Sequence, residues 1–519
     1  MTEFVALLGL LLAAVILAAL ARRVGVPYPV FLAIGGACLA FVPGAPALAI
    51  EPRLALALFV APVLLDAAFD SSPRDMRENW VPLVNLVVLG VAVTTIAVAI
   101  VVRASVPGVP WALAIALGAI VAPPDATAAT AILRHVKPPH RILTILEGES
   151  LLNDASALMI YRLALGALAA STFSIGSAAP TFLLAVVGSI AAGRAASWLV
   201  LRLTMRIRDV PTSIILQFIT TFGVWIVADE LGLSAVLTMV CFAVFVARPA
   251  SEATPARMRI PSFAVWDTAV FVLNVLAFVF IGLQIRPTLA GLEPGVRDRY
   301  FWLAGAVLFT VIAVRIAWVL IYYAVYRTVA GHLRRRRAPS RPPPTLRGAL
   351  VVGWSGMRGM VTLAAALALP HEINGTELPY RDLIVLTSFA VVLGTLVIQG
   401  LTLGPLLRTF KLRDDDPVAR EVNTARDRAL RAALGTVDGV DSEVARTVRQ
   451  EFASHLRAAR GGDGDPESDH EQLHRSALEA ARRTILDMRA NDEIGDDAFH
   501  QLEREFDLME MANDPEDNT

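Results

Sequence analysis

The chain has 519 residues, of which 55% are hydrophobic and only 18% are charged. Its mean hydropathy of +0.58 is far above that of a soluble globular domain of this size, which argues against a soluble enzyme or binding module. The only two cysteines, Cys38 and Cys241, lie inside apolar stretches and indicate neither a disulfide framework nor a metal site. Residues 411–519 contain no phosphate-binding glycine-rich loop and no metal-ligand cluster, so ATP-driven pumping has no support, and we expect no cofactor.

Long apolar runs dominate the first 410 residues. A bilayer core of roughly 30 Å needs about 20 apolar residues per helix, and this criterion predicts an all-α membrane protein with about thirteen transmembrane helices. The predicted spans are approximately residues 4–20, 28–42, 54–69, 81–102, 111–133, 142–169, 180–203, 212–227, 233–247, 265–285, 301–326, 350–369 and 383–407.

The distribution of basic residues predicts the orientation of these spans. Loops after odd-numbered spans hold 20 Lys and Arg residues, and loops after even-numbered spans hold 6. Because basic loops stay in the cytoplasm, we expect the N-terminus outside and the C-terminus in the cytoplasm of a multi-pass protein of the inner (plasma) membrane.

The charge of the chain divides it into two predicted domains. Residues 1–410 form the transmembrane domain and carry a net charge of +11, whereas residues 411–519 carry −12. We expect the second part to be an acidic, mostly helical cytosolic tail. It is either a small helical or dimerising domain or a regulatory element.

Polar residues inside two spans are the first indication of a site. Glu149, Ser150, Asn153 and Asp154 in the sixth span repeat at i, i+4 spacing and therefore form one stripe on a helix. In the fifth span, consecutive prolines precede Asp125 and predict an unwound segment at mid-membrane. An ionisable group at that depth costs about 2.5 to 3.5 kcal/mol and is functional by default.

The twelfth span also contains a predicted break, where three glycines surround Arg358. A buried arginine needs a carboxylate partner, and Glu149 and Asp125 are the available ones. The interrupted fifth and twelfth spans run in opposite directions. The pattern therefore predicts inverted repeats with two broken, crossing helices, which is the architecture of a secondary transporter.

Other charged residues in the spans are candidates for cavity or gating roles, or for structural ones. Asp66 in the third span is a candidate for lining a cavity. Asp267 in the tenth span is either a gating residue near the cytoplasmic mouth or a solvated helix-end charge. Three further arginines are expected to snorkel or pair locally and are given no role: Arg162, Arg194 and Arg315.

Three segments resemble those of one transporter family. Residues 147–154 read EGESLLND, residues 354–359 read WSGMRG and residues 278–284 read FVFIGLQ. Together they resemble the corresponding segments of the NhaP/NHE-type sodium/proton antiporters, and the likeness extends over roughly residues 1–410. The Asn153-Asp154 pair resembles the electroneutral branch of that family, which exchanges one proton for one sodium ion.

The resemblance implies a site and its partners. Asp154 would bind the ion or the proton, Asn153 and Ser150 would support it, Asp125 would complete a Na+ site with Asp154, and Glu149 would pair with Arg358. The family often has Thr before the aspartate of the fifth span, where this chain has Pro124, so Thr127 and Thr130 are candidate replacements. A homodimer in contact with membrane lipid is also implied, and nucleic acid is not expected as a partner.

We therefore expect an antiporter, and not an enzyme, in which a monovalent cation (Na+ and also Li+) and a proton compete for Asp154. Potassium/proton exchange by the same fold is an alternative, because the oxygen ligands do not decide the cation. An intramembrane aspartyl protease with an Asp125–Asp154 dyad is an alternative of another class. The sequence lacks the Gly-x-Gly-Asp context that is usual for such a protease, and this alternative leaves Arg358 without a role.

Overall fold

The computed structural model describes most of residues 2–412 and a few isolated positions beyond them. The gaps before residue 412 are 25, 43–50, 71–72, 126–127, 132, 134–137, 170–174, 205, 208, 254–255, 291–294, 296, 334–344 and 374–375. The chain divides into two compact units, Met1–Asp415 and Asp416–Thr519. All the elements named below belong to the first unit.

Helices make up nearly all of the described part of this unit. They are α1 (Thr2–Val24), α2 (Tyr28–Leu39), α3 (Pro52–Asp70), α4 (Pro73–Glu78), α5 (Trp80–Val84), α6 (Val91–Ser105), α7 (Trp111–Val121), α8 (His140–Ala169), α9 (Ile175–Thr204), α10 (Val210–Glu230), α11 (Ala235–Ala253), α12 (Ala256–Leu283), α13 (Ile285–Ala290), α14 (Arg297–Leu333), α15 (Leu346–Trp354), α16 (Met360–Leu367) and α17 (Arg381–Phe410). A π-helical turn, π1 (Asn85–Gly90), joins α5 to α6. Strands β1 (Glu372–Ile373) and β2 (Thr376–Glu377) form a short antiparallel pair.

Within the described ranges, eight helices are long and apolar enough to cross a membrane. Three shorter apolar helices accompany them, at Tyr28–Leu39, Trp111–Val121 and Ala235–Ala247. The predicted helical architecture with long apolar helices is therefore confirmed, whereas the number of thirteen spans stays a prediction. The β1–β2 pair is a small departure from an all-α chain.

The helices pack in two groups. In the scaffold group (α1–α3 and α9–α12), α2 lies along α12 and α9 lies along α11. In the site group (α5–π1–α6, α7, α8 and α14–α17), α7 contacts both α6 and α8, and α14 contacts α15 and α17. The main contacts between the groups join α3 to α16, α2 to α17 and α11 to α8.

Glycines allow the closest approach in the scaffold group. A Cβ atom added to Gly36 of α2 would collide with the Val279 carbonyl of α12, and one added to Gly282 would collide with the backbone of α2. Small residues thus bring the two backbones into direct contact. This is how helices associate in lipid, where hydrophobic burial gives no driving force between them.

Side-chain caps set the beginnings of two helices. Asp209 caps α10 by accepting hydrogen bonds from the Thr212 hydroxyl (2.6 Å) and the Thr212 backbone N–H (3.0 Å). These bonds hold the pKa of Asp209 below its ordinary value, and the bond from the hydroxyl has the larger effect. Thr345 caps α15 by accepting from Gly348 N–H at 3.0 Å. The cap on α15 fixes the start of a helix that ends at the unwound segment described next.

Candidate functional site

The fifth predicted span is interrupted where the prolines predict it. Helix α7 ends at Val121, residues 122–125 are not helical, and residues 128–131 are helical again. Pro123 and Pro124 have no backbone N–H to continue the helix, and their rings obstruct the preceding turn. Both prolines are buried. The break therefore exposes main-chain carbonyls inside the protein.

The twelfth predicted span is also interrupted at its glycines. Helix α15 ends at Trp354, residues 355–359 are unwound, and α16 begins at Met360. Arg358 lies in this unwound segment and is completely buried. Both interruptions predicted from the sequence are thus present in the structure.

The two breaks touch each other. The Asp125 backbone N–H donates to the Met357 carbonyl at 2.7 Å, which ties one unwound segment to the other. Arg358 donates to the carbonyls of Val121 (3.0 Å) and Ala122 (3.1 Å), and also to that of Gly356. A permanent positive charge thus lies at the negative C-terminal end of α7.

Helix α8 brings its polar stripe against this crossing. The Asn153 amide donates to the Pro124 carbonyl at 2.8 Å, and its buried side-chain oxygen has no hydrogen-bond partner among the residues that the structure describes. Asp154 is 8% exposed, and Asp125 directly follows the Pro124 carbonyl that the Asn153 amide binds. Two carboxylates and an available amide oxygen are the hard oxygen donors that a small cation prefers.

The predicted ion pair between Glu149 and Arg358 is wrong. Glu149 instead accepts two hydrogen bonds from Arg315 of α14, at 2.6 and 2.9 Å. Both side chains are at least nine-tenths buried. The N–H groups of Arg358 instead donate to main-chain carbonyls, because the unwound segments present these carbonyls directly beside it.

Arg315 is the site residue that the sequence analysis missed. It also donates to the Val352 carbonyl at 3.2 Å, so it binds both α8 and α15. Its position near the middle of an apolar run was the available signal, since a guanidinium at that depth requires a buried carboxylate.

Two glycines of the WSGMRG segment make room for charged side chains. A Cβ atom on Gly356 would collide with the side chain of Arg315, and one on Gly359 would collide with the carboxylate of Asp125. The backbone of Gly359 has a negative φ of −131°, so its requirement for glycine is one of space. These glycines therefore do more than break the helix, because they admit both neighbouring charges.

A small cavity adjoins the breaks within the site group. Its lining includes Pro124, Glu149, Arg315 and Arg358, together with Thr94 of α6 and Trp318 of α14.

The π-helical turn π1 forms another wall of this cavity through Leu86 and Gly90. Its Val87 carbonyl accepts a hydrogen bond from Ser156 of α8 at 2.8 Å, and Asn85 accepts one from Trp318 at 3.1 Å. A wide turn shifts the backbone hydrogen-bond register and is common at functional sites.

The remaining predicted residues lie at varying distances from the crossing. Ser150 is half-buried on α8, and Thr130 is half-buried just after the first break. Asp66 is half-buried on α3, which packs against α8 and α16, whereas Asp267 is exposed on α12. Thr127 lies outside the described residues.

Comparison with known proteins agrees with this architecture. Residues 10–409 match the model of the transmembrane sodium/hydrogen exchanger family. An uncharacterized Na+/H+ exchanger of Mycobacterium tuberculosis is 32% identical, over 98% of this chain and 95% of its own. A sodium, potassium, lithium and rubidium/H+ antiporter of Bacillus subtilis is 28% identical, over 94% of this chain and 74% of its own.

A solved structure shares the fold. The sodium proton antiporter MjNhaP1 from Methanocaldococcus jannaschii superimposes with a TM-score of 0.59 at 17% identity, covering 79% of this chain and 99% of its own. The matched segment contains both breaks and the polar stripe of α8. The chain therefore belongs to the sodium/hydrogen exchanger family and is a multi-pass membrane antiporter of monovalent cations and protons, not an enzyme.

Proposed function

We propose that Asp154 carries the transported cation and the proton in turn, with Asp125 as the second carboxylate of the site. The observation that supports this most directly is the position of Asp154. It is buried on α8 one residue after Asn153, whose amide binds the carbonyl of the proline break at 2.8 Å. The Pro124 carbonyl accepts that hydrogen bond, whereas the Asn153 side-chain oxygen accepts none from the described residues and is the candidate neutral ligand.

The charges around the two breaks support exchange of one cation for one proton. Among the described residues at the breaks, Asp125, Glu149 and Asp154 contribute three carboxylates, while Arg315 and Arg358 contribute two guanidiniums. When all five are ionised, a single negative charge remains. One monovalent cation or one proton neutralises it, and a second would leave an uncompensated positive charge in a buried site.

This neutrality makes exchange obligatory. Moving an unpaired carboxylate through the low-dielectric interior is costly, so the site group changes orientation against the scaffold group only when Asp154 is occupied. Cation and proton then compete for one position, and each crosses in the opposite direction to the other.

The test is cation-dependent proton flux in proteoliposomes containing Asp154→Asn. We expect exchange to fall to background, because the amide neither titrates nor neutralises a cation. The matched control is Asp298→Asn, which makes the same substitution at an exposed position in the first turn of α14 and should retain wild-type exchange. Wild-type exchange by Asp154→Asn would contradict the assignment.

The cation is a separate question. We infer sodium, and also lithium, as the main substrates, with potassium/proton exchange as the second candidate. The name of the Bacillus subtilis relative includes potassium and rubidium and favours keeping this second candidate. Dye-quench assays in which sodium, lithium and potassium are each titrated distinguish the two, since the preferred ion dissipates the proton gradient at the lowest concentration.

Several further features are part of the same proposal. We infer thirteen spans in two inverted repeats, an external N-terminus, an acidic cytosolic tail from residue 411, and a homodimer in the plasma membrane. The asymmetry of 20 against 6 basic loop residues supports the orientation. Ser150, Asp66, Thr127 and Thr130 remain candidate ligands or cavity residues.

A further inference from the structure

The last long helix, α17, packs against the unwound segment 355–359 and accepts hydrogen bonds from it and from the preceding residue. Thr395 accepts a hydrogen bond from the Arg358 backbone N–H at 3.0 Å, and Thr402 accepts one from the indole of Trp354 at 2.9 Å. The two threonines lie seven residues apart, so they share one face of the helix. These contacts reach both ends of the unwound segment.

Gln399 lies on the same face, four residues after Thr395 and three before Thr402. Its neighbour Gly400 adjoins Met357, whose sulfur is 3.5 Å from the position of an added Cβ. Gln399 is therefore held beside the unwound segment, between the two threonine contacts. It is completely buried.

The Gln399 amide is unsatisfied. Within the described part of the chain, neither its nitrogen nor its oxygen has a hydrogen-bond partner, and the buried Ser355 hydroxyl also lacks one. Leaving both halves of a buried amide unpaired is costly, and an apolar side chain of similar size would avoid that cost. A purely structural role in this conformation does not account for a glutamine here.

We propose that Gln399 is a positioning residue of the transport cycle, whose amide forms hydrogen bonds with the unwound segment 355–359 in the opposite orientation of the carrier. An amide both donates and accepts, which matches the carbonyls and N–H groups that an unwound backbone presents. It would hold Arg358 and the Met357 carbonyl against the first break. This inference rests on the proposed exchange function.

The experiment compares Gln399→Met with Gln399→Asn in the full-length protein. Methionine retains an unbranched side chain without the amide, whereas asparagine retains the amide. Thermal unfolding in detergent measures stability. Proton flux in proteoliposomes, at varied cation concentration and pH, gives the maximum exchange rate per folded molecule and the apparent cation affinity.

We expect Gln399→Met to unfold at the same or a higher temperature, because a buried unpaired amide is removed. Its maximum rate should nevertheless fall roughly tenfold, the effect of losing one or two hydrogen bonds in only one orientation. Gln399→Asn should recover part of that rate. The control is Thr387→Val, which removes a buried hydroxyl about 18 Å away along α17 that also has no partner among the described residues, and it should leave the rate unchanged.

Two results would overturn the inference. One is a Gln399→Met protein that exchanges at the wild-type rate per folded molecule, and the other is loss of rate and stability together with no recovery in Gln399→Asn. Failure of the proposed function itself has a different signature, because wild-type protein would then show no cation-dependent flux, or Asp154→Asn would retain it.

Discussion

The two breaks at the crossing are built by opposite means. The first depends on Pro123 and Pro124, which remove backbone donors, and it presents carbonyls and the acid Asp125. The second depends on glycines and presents the base Arg358, whose guanidinium binds the carbonyls of the first. The first break thus supplies negative groups and the second supplies space and positive charge. Neither half is electrostatically complete without the other.

The largest effect on this charge balance between the two breaks is expected from the Glu149–Arg315 ion pair. Glu149→Gln leaves Arg315 buried with no carboxylate, and loss of one partner of a buried pair costs about 3 to 5 kcal/mol. The site would also lose its net negative charge, so cation-dependent exchange should disappear. Chemical unfolding and proton flux measure the two effects.

The double variant Glu149→Leu with Arg315→Met is the control for this prediction. It removes one charge of each sign, so the net charge around the breaks is unchanged, and apolar replacements of buried pairs are often tolerated. We expect it to be more stable than Glu149→Gln and to regain measurable exchange. Equal loss of exchange in the single and double variants would contradict the charge count.

A smaller effect is expected from filling the space in the second break. Gly359→Ala places a methyl group against the Asp125 carboxylate, and such overpacking typically costs about 1 to 3 kcal/mol. Displacement of Asp125 should weaken apparent cation affinity more than it lowers the maximum rate. Flux at varied cation concentration provides the measurement.

Gly404→Ala is the matched control, because an added Cβ there meets no atom within 4 Å. It lies in α17 and should leave both affinity and rate unchanged. If Gly359→Ala also behaves as wild type, the position of Asp125 does not depend on the absence of a side chain at residue 359.

The smallest effect concerns the link between α8 and the first break. Asn153→Ala removes the hydrogen bond to the Pro124 carbonyl, which is worth about 1 kcal/mol. Apparent cation affinity should fall several-fold. Thr204→Val deletes a hydrogen bond of the same length, to the Val200 carbonyl within α9, and is expected to retain full affinity. Equal affinities in the two variants would remove Asn153 from the site.

The sequence predicted those parts of the site that depend on local chemistry. Consecutive prolines and clustered glycines interrupt a helix wherever it lies, so both breaks were predictable. The partner of Glu149 was not, because two buried arginines competed for it. The outcome depends on where α14 crosses α15 and on the room left by Gly356. The spacing of Thr395 and Gln399 likewise has no meaning until α17 is placed against the unwound segment.

The π-helical turn in the fourth span has a genetic consequence. A π turn closes its backbone hydrogen bond over one more residue than an α turn, so it corresponds to a single inserted codon in an otherwise regular helix. Deleting that codon would restore a continuous α-helix and withdraw the Val87 carbonyl from Ser156. It would also rotate Trp80–Val84 by about 100° relative to Val91–Ser105, since each helical residue turns by that angle. A one-residue change of length here therefore alters which side chains face the site, although no polar residue is replaced.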